Sequence, residues 1–419
     1  MNKQYNQAYK ILIASSLTAL LSFLGIVFSS LILKYITVIS LAYALVMSFQ
    51  VFNEYKKSIN WKKARIILWV LCYYPLLRIF IDVFTQRFEA KTFIDGFIIY
   101  GGFYELPIIA LSLAVLTKYC DGYYLLYRYA YFSFPIGCVI TALCLATNNQ
   151  SIIGLGQNAI VNCFVPVALL AFYPSNKKST ILGWVAIIFI FFVGAKIWSR
   201  SYSLVGFYFA VGGIRAFFKN GQKKLGYNII VGLLACYFLG VFSFFTTKSN
   251  VQDSSIADKY QTGSLVKALS DFAENGDFVK LFYWEGNSRS SILVDAFSNF
   301  KVTDVLLGKG VFGTYQSFVQ SGTFGDDFAY IDRAGIELGW ANEAFRWGVP
   351  YIIIVIWMMV SAYRKIKKDK RLYADPFTRI VGILIIIKVL DAFVYGIPET
   401  SVYNLLMYVG IMKTVIVIN

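Results

Sequence analysis

Residues 11–28 read Ile-Leu-Ile-Ala-Ser-Ser-Leu-Thr-Ala-Leu-Leu-Ser-Phe-Leu-Gly-Ile-Val-Phe, a run with no charged residue. A stretch of this length matches the hydrocarbon core of a bilayer when coiled as a helix. It exceeds a signal-peptide core, and no small-residue cleavage pattern follows it, so it reads as a retained helix. Similar apolar runs recur along the 419 residues, near 33–52, 64–84, 94–116, 123–147, 152–172, 179–198, 201–218 and 226–246. Three more follow near 341–362, 377–395 and 402–418. Lipid leaves free backbone groups unsatisfied, so runs of this length span only as helices. The expected fold is an all-α polytopic membrane protein of about 12 transmembrane helices, with a tight turn around Lys34 and a long, partly helical extracytoplasmic loop before the last three spans. The expected division is a bundle over 1–246, a loop over 247–340 and a second bundle over 341–419.

Composition agrees. Hydrophobic residues make up 58% of the chain and charged ones 15%, too few for a water-facing surface. The mean hydropathy is +0.61. The formal charge of +16 suggests nucleic acid until its distribution is examined. If every apolar run spans, the segments on one side hold 19 Lys and Arg and the short segments opposite hold 4. That asymmetry orients a membrane protein with both termini in the cytoplasm, and no nucleic-acid partner is expected. The chain has no His, and its six cysteines lie in or beside apolar runs. Neither a zinc site nor any other cofactor is expected.

The loop has its own character. It carries 8 Lys or Arg against 12 of the 23 acids. Leu265, Leu269, Phe272 and Ala273 form a helical stripe behind a capping Ser264, ended by Gly276. Ile292, Leu293, Ala296, Phe297 and Phe300 form another behind Ser288. The segment Gly308-Lys-Gly310-Val-Phe-Gly313 matches a dinucleotide fingerprint but lacks a βαβ unit, and reads instead as a tight turn between loop helices.

The informative residues are cations at the outer ends of spans. Arg78, Lys196, Arg200, Arg346 and Lys388 stand where insertion costs roughly 2.5–3.5 kcal/mol or more per charge, so each needs a partner. Arg289 and Arg333 in the loop belong to the same surface. Arg78 with Asp82, and Lys388 with Asp391, have the spacing of structural ion pairs on one helix face. Arg128 and Arg215 lie near cytoplasmic ends and can snorkel. Glu343 stands three residues before Arg346. Lys196 and Arg200 have no acid at helical spacing. Two readings remain open: a multivalent anion held by guanidinium groups, or loop acids such as Asp326, Asp327 and Asp332 neutralising them.

The order of elements resembles the O-antigen polymerase and O-antigen ligase family of bacterial envelopes, which includes the Wzy-type surface-polysaccharide polymerases. Trp198-Ser-Arg200-Ser-Tyr-Ser-Leu is similar to the Ser-Arg start of an outer span in that family. Ser288-Arg289-Ser-Ser-Ile-Leu with Leu306-Leu-Gly308-Lys-Gly310 is similar to its loop arginine and leucine–glycine turn. Asn342-Glu343-Ala-Phe-Arg346-Trp-Gly348-Val resembles its segment re-entering the membrane. The ligases carry a His near re-entry, where this chain reads Trp340-Ala-Asn-Glu343, so polymerase is the expected activity.

The resemblance implies a donor glycan on undecaprenyl pyrophosphate and an acceptor hydroxyl on a second lipid-linked unit, in the bacterial cytoplasmic membrane. It implies a chain-length regulator and a flippase as partners. Arg200 and Arg289 would grip the pyrophosphate, with Arg346, Arg333 and Lys196 as further contacts. Glu343 would be the general base, with Asp332 and Glu337 in reserve, or the ion-pair partner of Arg346. Tyr315, Phe318, Phe324 and Tyr330 are candidates for stacking on sugars. The competing class is a lipid-linked glycan flippase or secondary transporter, with helices broken around Gly101-Gly102, Glu105 and Pro107 and around Gly154, Gly156 and Pro166. A membrane scaffold with no reaction would need no rim cations.

Overall fold

The computed structural model describes residues 3–27, 31–86, 101–147, 160–173, 177–196, 200–219, 226–228, 230–231, 289–298, 300–320, 328–333, 336, 339–393 and 402–417. Contacts divide the chain into two compact units, one of Met1–Lys223 with Ile353–Asn419, the other Lys224–Ile352.

The first unit is helical. Its elements are α1 (Lys3–Val27), α2 (Leu31–Glu54), α3 (Trp61–Leu68) and α4 (Tyr74–Gln86), the last two joined by a π-turn at Trp69–Tyr73. Then come α5 (Gly101–Tyr119), α6 (Gly122–Thr147), α7 (Ile160–Phe172), α8 (Lys177–Lys196) and α9 (Arg200–Lys219). Lys34 lies inside α2, one turn from its start, and not in a turn as the spacing of apolar runs suggested. Helices α1, α2 and α5 pack together, and Ser48 and Ser112 share a buried 2.9 Å hydrogen bond between α2 and α5. Ser48 also donates 2.8 Å to the Ala44 carbonyl of its own turn, so both hydroxyls are satisfied without water.

Three helices among the described residues are long and apolar enough to cross a membrane: Ile36–Glu54, Trp61–Phe84 and Val349–Lys368. Most of their residues are not buried, and some are largely exposed, Ile39 at 67% and Trp357 at 70%. Apolar side chains exposed along whole helices suit a lipid solvent and disfavour water. These helices point to membrane association.

The second unit holds α10 (Arg289–Ser298), α11 (Val302–Leu307), an antiparallel hairpin of β1 (Tyr315–Gln320) and β2 (Phe328–Arg333), and α12 (Gly339–Trp347). The hairpin departs from the all-α expectation. Tyr315 pairs with Arg333 and Phe318 with Tyr330, and the aromatic and β-branched residues of both strands favour a pleated ladder over a helix. The stripe at 264–276 lies outside the described residues.

A second correction concerns the helix expected over 341–362. It is two helices, α12 and α13 (Val349–Lys368), separated by Gly348. Gly348 has φ 89°, a left-handed conformation that ends a helix and that glycine adopts without a Cβ penalty. Pro350 then sits in the first turn of α13, where its missing N–H costs nothing. The chain returns to the first unit through α13, α14 (Lys370–Ala374), α15 (Pro376–Asp391) and α16 (Val402–Lys413). Asp375 caps α15 by accepting from the amides of Phe377 and Thr378.

Candidate functional site

The second unit is built on a small apolar core of Ala296, Tyr315, Ile336 and Phe345, with Leu293, Phe297, Phe300 and Ala341 packed against it. The stripe read at 292–300 supplies Leu293, Ala296, Phe297 and Phe300. Ring centroids lie 5.6 Å apart between Phe300 and Phe345 and 5.4 Å apart, edge to face, between Tyr315 and Phe345. Helix α10 packs on β1 and α12, and α11 packs on α12.

A glycine turn fastens this core. Helix α11 starts with Asp304 accepting from the Lys301 amide at 3.1 Å and ends at Gly308, φ 72°. The amide of Lys309 then donates to the Phe345 carbonyl at 2.7 Å, and that of Gly310 to the Arg346 carbonyl at 3.0 Å. Gly348 donates back to Ala344 at 2.9 Å. The last carbonyls of α12, which have no helical partners, are satisfied by this turn. The glycines of the fingerprint-like segment therefore serve a turn, but one that leads from α11 into the strand β1 and not between two loop helices as expected. The Lys309 ammonium lies 5.3 Å from the Phe300 ring and 5.7 Å from that of Phe345, a cation–π contact covering the core.

On α12 the indole of Trp347 donates to Glu343 Oε2 at 2.7 Å. Trp347 is fully buried, and Arg346 beside it is 7% exposed. Neither Glu343 nor Arg346 lacks a further partner. Asn342 Oδ1 accepts from the Ile336 amide at 3.0 Å, tying the helix to the segment before it. The Trp347 contact was missed in the sequence, although Glu343 and Trp347 are four apart and share a helix face.

Four of the six expected site residues belong to this unit. Glu343 and Arg346 are on α12, Arg289 is the first residue of α10, and Arg333 is the last of β2, opposite the core residue Tyr315. Lys196 ends α8 and Arg200 begins α9, in the other unit. The side chains of Arg289, Arg333, Lys196 and Arg200 lie outside the described residues, as do Asp326, Asp327, Glu337 and Phe324. Asp332 lies on β2 opposite Gln316.

The two structural ion pairs read from spacing are present. Arg78 Nε lies 3.1 Å from Asp82 Oδ1, and Lys388 Nζ lies 3.5 Å from Asp391 Oδ2. Lys388 and Asp391 are each 1% exposed, and the ammonium sits 4.2 Å from the Tyr403 ring. Burial of this depth requires the pairing.

The described residues contain no group of three or more His, Cys, Asp or Glu able to hold a metal ion. Cys72, Cys120, Cys138 and Cys163 are free thiols. No protein-family model matches the chain, and no curated protein matches it in sequence.

Proposed function

We propose that the chain polymerises lipid-linked oligosaccharide repeat units on the outer face of a bacterial cytoplasmic membrane. In this reading about twelve helices cross the membrane with both termini in the cytoplasm, and the loop 247–340 lies outside. One observation carries the reading: a single compact unit bears Arg289, Arg333, Glu343 and Arg346 on elements packed about one core. Two of them, Glu343 and Arg346, occupy a nine-residue helix whose end is fastened by the 308–310 turn. Cations preorganised at a site stabilise charge that develops on a leaving group.

The reaction needs no metal. The acceptor hydroxyl oxygen attacks the anomeric carbon of the donor glycan. The bond from that carbon to the pyrophosphate oxygen breaks, and undecaprenyl pyrophosphate leaves with the electron pair. The hydroxyl proton passes to Glu343. Within the unit 224–352, Arg289 holds the pyrophosphate, with Arg346 and Arg333 as supporting cations; Arg200 and Lys196, in the other unit, are candidates on the family resemblance alone.

A transporter or flippase is the second reading, favoured by the buried Lys388–Asp391 pair beside Tyr403, since ionisable groups deep in a bundle often mark a substrate path. Against it, α5 continues through Pro107 and α7 through Pro166, where helix breaks were expected. Gly154 and Gly156 lie outside the described residues.

Surface polysaccharide from a deletion strain, complemented with wild type, Arg289→Ala or Arg200→Ala, separates these readings. Polymerase predicts single repeat units on the cell surface in the deletion and in both variants, with variant protein still in the membrane. Wild-type chain lengths in both variants would remove those arginines from the mechanism. Lipid-linked units retained inside the deletion strain would favour the flippase.

A further inference from the structure

In the first unit, α9 and α13 end and α15 begins around a small recess, partly open to solvent. Four cations line it: Arg215 and Lys219 from α9, Lys367 from α13, and Arg379 from α15. Tyr363 and Tyr373 complete the polar wall. We infer that this recess binds a phosphate-bearing anion. The inference stands whether or not the chain polymerises glycans.

No ion pair to any of these four cations occurs among the described residues. The acids nearest in sequence are engaged elsewhere. Asp369 caps α14 through the Arg371 and Leu372 amides, while Asp375 caps α15 and lies 3.6 Å from the Lys413 ammonium. Burial and then the neighbouring cations Arg379, Arg215 and Lys367 push Lys219 below the ordinary lysine value.

Positive-inside bias explains why cations lie at these helix ends. It does not explain their convergence on one concave site from segments far apart in sequence. The aromatic rings hold the cations in place: the Lys219 ammonium stands 3.7 Å from the Tyr373 ring centroid. The Arg379 guanidinium stands 5.8 Å from the rings of both Tyr173 and Tyr373. Restrained cations lose less freedom on binding than flexible surface lysines do. Two arginines supply planar forks for phosphate oxygens and two lysines add point charge. Basic pockets between membrane helices take the headgroups of anionic lipids, and the same chemistry accepts a free phosphate.

The test uses the full-length protein in a neutral detergent. Thermal unfolding is followed while phosphatidylglycerol, phosphatidylcholine or inorganic phosphate is titrated in, with chloride matching ionic strength. Phosphatidylglycerol or phosphate is expected to raise the midpoint of the wild type above the phosphatidylcholine and chloride controls. A rise with phosphatidylglycerol alone identifies a lipid headgroup as the source, and a rise with phosphate identifies the soluble anion. In Lys219→Gln/Arg379→Gln the apparent affinity should weaken roughly thirtyfold, two cations' share at an anionic surface. Should that variant fail to fold, Lys367→Gln changes an exposed side chain and should weaken binding roughly fivefold. No rise in the wild type, or an undiminished rise in the recovered variants, would overturn the assignment.

Discussion

Gly308 and Arg346 meet backbone to backbone: a Cβ placed on Gly308 would stand 2.3 Å from both the carbonyl carbon and oxygen of Arg346. The contact lets the next two amides reach the carbonyls of Phe345 and Arg346. It fixes the end of the helix that carries Glu343.

Gly308→Ala is therefore expected to loosen the unit 224–352. The left-handed backbone alone costs a non-glycine residue about 1–3 kcal/mol, and the clash adds to it. Limited proteolysis should cleave the variant faster within 289–347 than the wild type, whereas Ser298→Ala, at the exposed end of α10, should behave as wild type. Equal cleavage rates for Gly308→Ala and wild type would contradict the strap.

Glu343 and Trp347 make separable predictions. As general base, Glu343→Gln should slow chain extension about a hundredfold or more, measured with purified protein and lipid-linked units. Trp347→Phe keeps the carboxylate and removes its indole donor, so it should slow the reaction less and cost about 1.5–3 kcal/mol of stability, the range for a hydrogen bond to a charged group. An unchanged rate in Glu343→Gln would leave the carboxylate a purely structural role.

Asp391→Asn leaves the buried Lys388 ammonium without its carboxylate. Breaking one side of such a pair costs about 3–5 kcal/mol, while replacing both sides with apolar residues is close to neutral. The single variant should lower the yield of folded protein, and Lys388→Met/Asp391→Leu should restore both yield and polymer. Restored folding with polymer still absent would make the pair part of the chemistry.

Lys219 gives a pH dependence with a definite sign. Its folded-state pKa is lowered from 10.5 by burial and by Arg379, Arg215 and Lys367. As pH rises toward 10.5, the folded chain loses this proton before the unfolded chain does, so this group's contribution favours folding increasingly across that window. Arg215, Lys367, Arg379, Tyr363 and Tyr373 are the other charged or titratable groups lining the recess. A bound phosphate raises the Lys219 pKa again, so binding just below 10.5 should take up a proton. Calorimetry in buffers of different ionisation enthalpy reads that uptake, which Lys219→Gln should abolish and salt should weaken. Uptake that persists in Lys219→Gln would assign the proton to another group.

What the sequence revealed was what short range controls. The Arg78–Asp82 and Lys388–Asp391 pairs follow from helical spacing, and the turn at Gly308 and Gly310 follows from glycine placement. The Gly348 break was written in Gly348-Val-Pro350, but the apolar residues on both sides concealed it, because continuous hydropathy also fits one long helix. The hairpin escaped because Tyr315–Gln320 and Phe328–Arg333 are brief and separated by seven residues, so no tight-turn signal joins them. The basic recess was beyond reach: Arg215 and Arg379 meet only through the packing of α9 on α15. Long-range convergence of that kind leaves no local pattern.

The Arg78–Asp82 and Lys388–Asp391 pairs each close within a single helix, over four and three residues. Each can form as soon as its own turn coils, before any neighbouring segment arrives. If both helices insert as proposed, the translocation machinery would meet a compact dipole where two opposite charges would otherwise have to enter lipid separately. The order in which these two helices find their neighbours is consequently free of any need to rescue a stranded charge.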